Sequence, residues 1–241
     1  MNKMKKLGVL VIGMMALTTT ASAQDKVEAE VYADVVTKYF WRGQDLGDAA
    51  VQPYLGLSYK GLTLSGWGSY GLVNHGEEEI DLTLSYNLGG FSVGVIDYYC
   101  FDKKGYDDCK YFDYRSGKTK HVFEANIGYD FGPLSVQWFT NFAGADGEDV
   151  YNGGKRPYSS YVELNAPFNL GGLEWEATVG AVPYKTDYYS DANGFAVTNV
   201  SLKATKDIKV TDTFSIPVFA AVNTNPSTQK AYFVFGFTLK P

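Results

Sequence analysis

The scarcest reactive side chains in this 241-residue chain are two histidines and two cysteines. A histidine-dependent hydrolase needs a nucleophile held against the ring and a polar partner that orients it. No serine stands two residues from His75 or His121, so a nucleophile would have to come from a separate segment. Both histidines read as loop residues. Cys100 and Cys109 carry two thiols with no histidine close by, which falls short of the four ligands of a structural zinc site. In an oxidising compartment the simplest chemistry for the pair is a disulfide across the loop between them. No phosphate loop, zinc motif or calcium loop is present, and "SDANG" at 190–194 reads as an ordinary turn. Catalysis is not expected, and neither a cofactor nor a metal.

Carboxylates are the chemistry this chain holds in quantity. Asp34, Asp81, Glu124, Glu163 and Glu176 alternate with apolar neighbours, as do Glu28, Glu30, Asp130 and Glu174. The cations in similar positions are few: Lys38, Arg42 and Lys203. Tyr32, Tyr54, Trp67, Tyr98 and Phe139 add rings to the same faces. Fixed charges and rings brought onto one wall of a passage select among solutes by charge and by stacking, without any bond being made. The pore-lining candidates are therefore Asp34, Lys38, Arg42, Asp81, Glu124, Glu163, Glu176, Tyr32, Trp67 and Tyr98. The alternative is that these charges pair with one another and fill the passage.

The elements that position them are strands. In "EIDLTLSYNL", Ile80, Leu82, Leu84, Tyr86 and Leu88 fall on one face and Asp81, Thr83, Ser85 and Asn87 on the other. That period of two is a strand with one apolar and one polar side. "HVFEANIGYDF", "GLEWEATVGA" and "KAYFVFGFTLKP" repeat it, and twelve such segments can be marked with no convincing helix. Short glycine turns at 60–61, 88–90, 131–133 and 170–172, with a longer one near 206–212, alternate with polar loops at 43–48, 74–78, 102–120, 144–157, 185–194 and 223–229.

The first 23 residues, with Lys3, Lys5 and Lys6, an apolar run over 7–17 and "ASA" before Gln24, read as a cleaved export signal. That apolar run is too short to span a bilayer, which takes about 20 residues. Removing it takes the net charge from −6 to −9, and no basic stripe suggests nucleic acid. An even strand count, short turns on one side and long loops on the other then fit an all-β fold. It is a 12-stranded antiparallel up-and-down transmembrane β-barrel over 24–241, in the outer membrane of a Gram-negative bacterium. A soluble barrel would put its apolar faces inward. Tyr39, Trp41, Tyr59, Tyr86, Tyr129, Phe131 and Phe168 are expected to form aromatic girdles in the lipid interface. In "KYFWRG" the alternation sends Tyr39 and Trp41 outward and Lys38, Phe40 and Arg42 inward, and Gly43 opens the first external loop.

The stretch from Val31 to Gly71, with Tyr39, Arg42, Gly43, Gln52, Pro53, Gly61 and Trp67, resembles the opening of the TorF-type putative porins. The resemblance is carried by residues 30–100. It implies an outer-membrane location and a channel role, and it brings no catalytic residues. The combined reading is a channel for passive diffusion of small solutes, with outer-membrane lipid around it and loop 102–120 as its constriction. A closed structural or adhesion barrel with partner-binding loops is the second reading, and a lipid-modifying enzyme the third. The sequence does not name the solute or the oligomeric state.

Overall fold

The computed structural model describes residues 26–73, 78–101, 109–147, 150, 153–189, 192–212 and 214–241. The expected export signal over 1–23 and His75 lie outside the described residues. In chain order the strands are β1 (Glu28–Val36), β2 (Tyr39–Trp41), β3 (Gln44–Gly47), β4 (Ala50–Tyr59), β5 (Leu62–Gly71), β6 (Glu79–Leu88), β7 (Phe91–Cys100), β8 (Val122–Asp130), β9 (Ser135–Gly144), β10 (Ser160–Leu170), β11 (Leu173–Val182), β12 (Ala196–Lys209), β13 (Ser215–Asn225) and β14 (Lys230–Leu239). Twelve of them, β1 and β4 to β14, close into one antiparallel barrel. β1 completes the ring by pairing with β14 on one edge and β4 on the other. β2 and β3 stand apart as a two-stranded hairpin. No helix occurs among the described residues.

The alternation read from the sequence decides which side each residue takes. On β6, Ile80, Leu82, Leu84, Tyr86 and Leu88 are exposed on the outside while Glu79 and Asp81 are buried inside. Around the ring Leu55, Leu64, Ile127, Leu164, Leu202 and Phe233 continue the outer apolar face. Gln52, Ser69, Asn126, Gln137, Asn165, Asn199 and Asn223 continue the inner polar one. Leaving one large apolar side chain in water costs about 1.5–3 kcal/mol relative to burying it. A belt of dozens of them, running round a closed barrel, therefore matches hydrocarbon and not water. Closure also leaves no strand edge unpaired, which hydrocarbon would penalise.

The short connections are tight for a local reason. Lys60 and Gly61 have φ of 49° and 86°, and Gly171 and Gly172 have 64° and 74°. Positive φ at both central residues is the type I′ turn, whose twist matches that of the strands it joins. β12 runs on to Lys209, so the fifth short connection lies at 210–214, slightly later than the sequence suggests. Ile208 keeps the outward alternation going past the polar pair Lys206 and Asp207. The long connections gather at the opposite end of the barrel, and two of them do not stay wholly outside.

Candidate functional site

β1 ends at Val36, before the aromatic run begins. Thr37 fastens the chain to β14, its N–H donating to the Phe235 carbonyl and its hydroxyl accepting from the Phe235 N–H, each at 2.9 Å. The chain then turns inward. β2 and β3 pair Trp41 with Gln44 across a two-residue turn made of Arg42 and Gly43, with φ of 47° and 89°. This is the same type I′ geometry as at Lys60 and Gly61, here with a bulky residue in the left-handed region. Such a conformation costs roughly 1–3 kcal/mol and persists only when the surroundings hold it. The Lys38 ammonium clamps the base, at 2.7 Å from Asp45 and 3.2 Å from Asp48.

The hairpin touches walls all round the bore. The Tyr39 hydroxyl donates to Glu79 of β6 at 2.6 Å, and its ring lies 5.6 Å from Trp67 of β5. Phe40 points the other way, against Val36, Ala50, Ala221 and Val234 of β1, β4, β13 and β14. Trp41 meets Tyr98 of β7 edge-on at 5.7 Å. At the tip the Gly43 carbonyl accepts from the Asn225 amide of β13 at 2.9 Å. A Cβ on Gly43 would collide with the Thr198 carbonyl of β12, so only glycine sits there without displacing the wall.

Arg42 is the centre of the arrangement and is buried. Its Nη1 and Nη2 donate to the two oxygens of Glu124 on β8 at 2.5 and 3.1 Å, a two-pronged pair. Its guanidinium carbon lies 3.7 Å over the Phe139 ring, 4.6 Å over Trp41 and 5.1 Å over Tyr161. Glu124, with no exposed surface, also accepts from the Tyr98 hydroxyl at 2.9 Å and from the Tyr189 hydroxyl. Tyr189 comes from a second infolded segment, held by a bridge between Thr186 and Ala192. There the Thr186 hydroxyl accepts from the Tyr188 and Tyr189 N–H groups. Burial works against the Arg42 charge, but the facing carboxylate outweighs it and holds the guanidinium well above its ordinary range. Burial first, then Glu124, pushes the Tyr189 phenol well above its own range, so it remains a donor.

Every residue singled out for the inner face lies there or on the hairpin. Arg42, Glu124 and Tyr98 share one cluster. Trp67 and Asp81 stand beside it, in register with each other across β5 and β6. Glu163 joins through Tyr161, whose hydroxyl donates to it at 2.7 Å, and also accepts from Asn165 at 2.9 Å. Tyr32 and Asp34 lie deeper. Tyr32 stacks on Tyr54 at 4.7 Å, and Asp34 accepts from the Thr238 hydroxyl at 2.6 Å. Glu176 is the register partner of Lys203, whose ammonium sits 4.0 Å over Phe219.

Three expectations need correction. Tyr39 and Trp41 are not outer-girdle residues: the chain leaves the barrel wall at Thr37, and both rings pack inside. Tyr59, Tyr86, Tyr129, Phe131 and Phe168 do lie exposed on the outside. Loop 102–120 is not the constriction in its described part, since residues 109–121 pack against the outer wall. There the Tyr114 ring stacks on His121 at 4.2 Å, with Tyr99 at 4.6 Å and Phe123 at 6.0 Å. His121 Nδ1 lies 2.6 Å from Asp97 Oδ1 and its Nε2 lies 2.6 Å from the Tyr111 carbonyl oxygen. Finally, Cys100 and Cys109 are not joined by a disulfide. Cys100 is in register with the inward Glu79, whereas Cys109 precedes Lys110, whose N–H donates to the outward Tyr99 hydroxyl at 2.9 Å. Alternation turns Cys100 inward, whereas Cys109 belongs to the loop segment held at the outward Tyr99. Residues 102–108 lie outside the described residues.

The His121 anchor makes a prediction of its own. Hydrogen bonds to a charged group are worth about 1.5–3 kcal/mol, so His121→Ala should free residues 109–121 from the wall and raise their opening roughly 10- to 100-fold. Trypsin cutting at Lys110, Arg115 and Lys118 should speed up accordingly. Unchanged cutting would show that contacts other than those of His121, such as the Tyr114 hydroxyl on Asp97, hold the loop.

No family model matches the chain, and no curated protein matches it. A solved structure described as a porin refined at 1.8 ångström resolution aligns with 90% of this chain and 100% of its own, at 10% identity and a TM-score of 0.38.

Proposed function

We propose that the protein is an outer-membrane channel of small bore for the passive diffusion of small solutes. Its outer mouth is closed in this state by the hairpin β2–β3 and opens when that hairpin withdraws. The observation that carries the reading is the Arg42–Glu124 pair, which holds a separate element across an otherwise polar lumen. A barrel that only needed filling could do so with side chains of its own strands, as small barrels do. Here the filling is a strained turn on two short arms, held by the Arg42–Glu124 pair, the Tyr39 hydroxyl, the Asn225 amide and ring packing. The outer apolar belt supports a membrane location. The resemblance of residues 30–100 to TorF-type putative porins implies the same location and role.

Inner carboxylates outnumber inner cations, so the open passage favours cations and neutral solutes over anions. Under a KCl gradient in a planar bilayer, the reversal potential should have the sign of cation preference. Anion preference would contradict the lining argued here.

A second reading is a barrel that stays shut and serves through its external loops. The buried apolar cluster of Phe139, Tyr161, Val182, Tyr189 and Ala192 favours it. The two readings part on conductance. A channel gives resolvable current steps once the hairpin is unseated, and a closed barrel gives none. His121 lends the lipid-modifying reading no support, because its ring nitrogens are engaged by Asp97 and the Tyr111 carbonyl.

A further inference from the structure

The wall that receives Arg42 holds carboxyl groups besides the one that Arg42 engages. Glu79 and Asp81 of β6 and Glu124 of β8 face inward at one end of the barrel, with Tyr98 of β7 between them. The Arg42 guanidinium pairs with Glu124, and the Tyr39 hydroxyl donates to Glu79. Asp81 is 9% exposed, and its Oδ1 is buried with no hydrogen-bond partner. Trp67 and Tyr98 are its cross-strand neighbours, close enough for their rings to border a bound cation.

The seat of Arg42 has the features a free guanidinium requires. A carboxylate offers both oxygens in the plane of the fork, and the Phe139 ring presents its face 3.7 Å from the guanidinium carbon. Tyr98 and Tyr189 hydroxyls fix the carboxylate from behind. Nothing in the seat depends on the cation being tethered to the hairpin. The tether itself carries the strained φ of 47° at Arg42, so the occupant is held at a cost that an untethered cation would not meet.

We infer that this wall is a recognition site for small solutes bearing a guanidinium group, and that Arg42 is its tethered occupant. A solute entering from outside as the hairpin loosens reaches Asp81, nearer the mouth than Glu124, and competes with Arg42 for Glu124. Its binding unseats the hairpin. The site thus couples the presence of one class of solute to opening. The inference rests on the channel reading only for the direction of approach.

The test is calorimetric titration of the full chain in detergent micelles, where no conductance is needed. Methylguanidinium is the probe and methylurea its uncharged counterpart. The expected result is saturable binding of methylguanidinium and none of methylurea. A tethered competitor acts at an effective concentration in the millimolar range, so Arg42→Ala should bind methylguanidinium at least about tenfold more tightly than the wild type. Gly43→Ala, which keeps the charge and displaces the turn, should tighten binding in the same direction. Asp81→Asn should weaken it. The inference is overturned by any of three results: Arg42→Ala binds no more tightly than the wild type, methylurea binds equally well, or neither protein gives saturable heat. Those outcomes would leave the conductance argument standing, just as a silent barrel that still bound the probe would leave this site standing.

Discussion

Arg42→Ala is expected to open the barrel without unfolding it. Removing one partner of a buried ion pair leaves the other charge stranded and costs about 3–5 kcal/mol. In a packed core that cost falls on the whole fold. Here there is a cheaper escape, because withdrawal of the hairpin lets water reach Glu124. The ratio of seated to withdrawn hairpin should therefore fall by roughly two to three and a half powers of ten, at about 1.4 kcal/mol per factor of ten. The twelve-strand ladder is untouched, so the folded barrel should keep its gel mobility and its melting behaviour. Proteoliposomes carrying the variant should swell faster in small neutral sugars than those carrying the wild type. Arg42→Lys should fall between the two, since an ammonium keeps the charge but cannot span both Glu124 oxygens. A variant that melts early and swells no faster would mean that Arg42 stabilises the barrel instead of closing it.

Gly43→Ala should give the same open barrel by a route that changes no charge. The residue sits at φ 89° with its α-carbon against the Thr198 carbonyl. The left-handed penalty is about 1–2 kcal/mol for an ordinary residue, and here the obstacle is backbone, which has no rotamer by which to yield. The tip must lift, and with it Arg42 leaves Glu124. Chymotrypsin added outside should then cut after Phe40 or Trp41, both held within the bore in the wild type. Resistance equal to the wild type would show that the wall around Thr198 gives way instead. Because this substitution and Arg42→Ala act on one element, their effects should be far from additive, and the double variant should open little further than either alone.

The alternation of β6, β8, β11 and β14 was legible because a barrel wall in lipid separates its two faces more sharply than most folds do. The glycine turns were legible because positive φ restricts the residues that can stand there. What the sequence hid was where β1 ends. Lys38 to Arg42 continues the period of two, and a period of two cannot tell a strand that goes on from one that turns into the bore. A signal was present: Arg42 and Gly43 repeat the form of Lys60 and Gly61, an ordinary residue followed by glycine between short β-prone arms. Read as a turn, the pair would have placed Tyr39 and Trp41 on a hairpin and not in a girdle. Tyr188 and Tyr189 had no such signal, because their burial depends on a loop that folds back across the barrel. The inner position of Asp81 and Glu124 was readable from local pattern. That Glu124 has partners on both oxygens while Asp81 leaves its Oδ1 without one was not, because it depends on which loop reaches them. The two cysteines show the same limit, since spacing alone does not say which face each thiol takes.

The central claim is that the hairpin β2–β3, seated on Glu124, closes the mouth of the barrel. Single-channel recording tests it most directly, comparing the wild type with a form in which residues 39–47 are replaced by a short glycine–serine linker. The account predicts rare or small current steps for the wild type and large, long-lived steps for the shortened form, in a barrel of unchanged thermal stability. Equal conductance in the two proteins, whether both silent or both open, would contradict it.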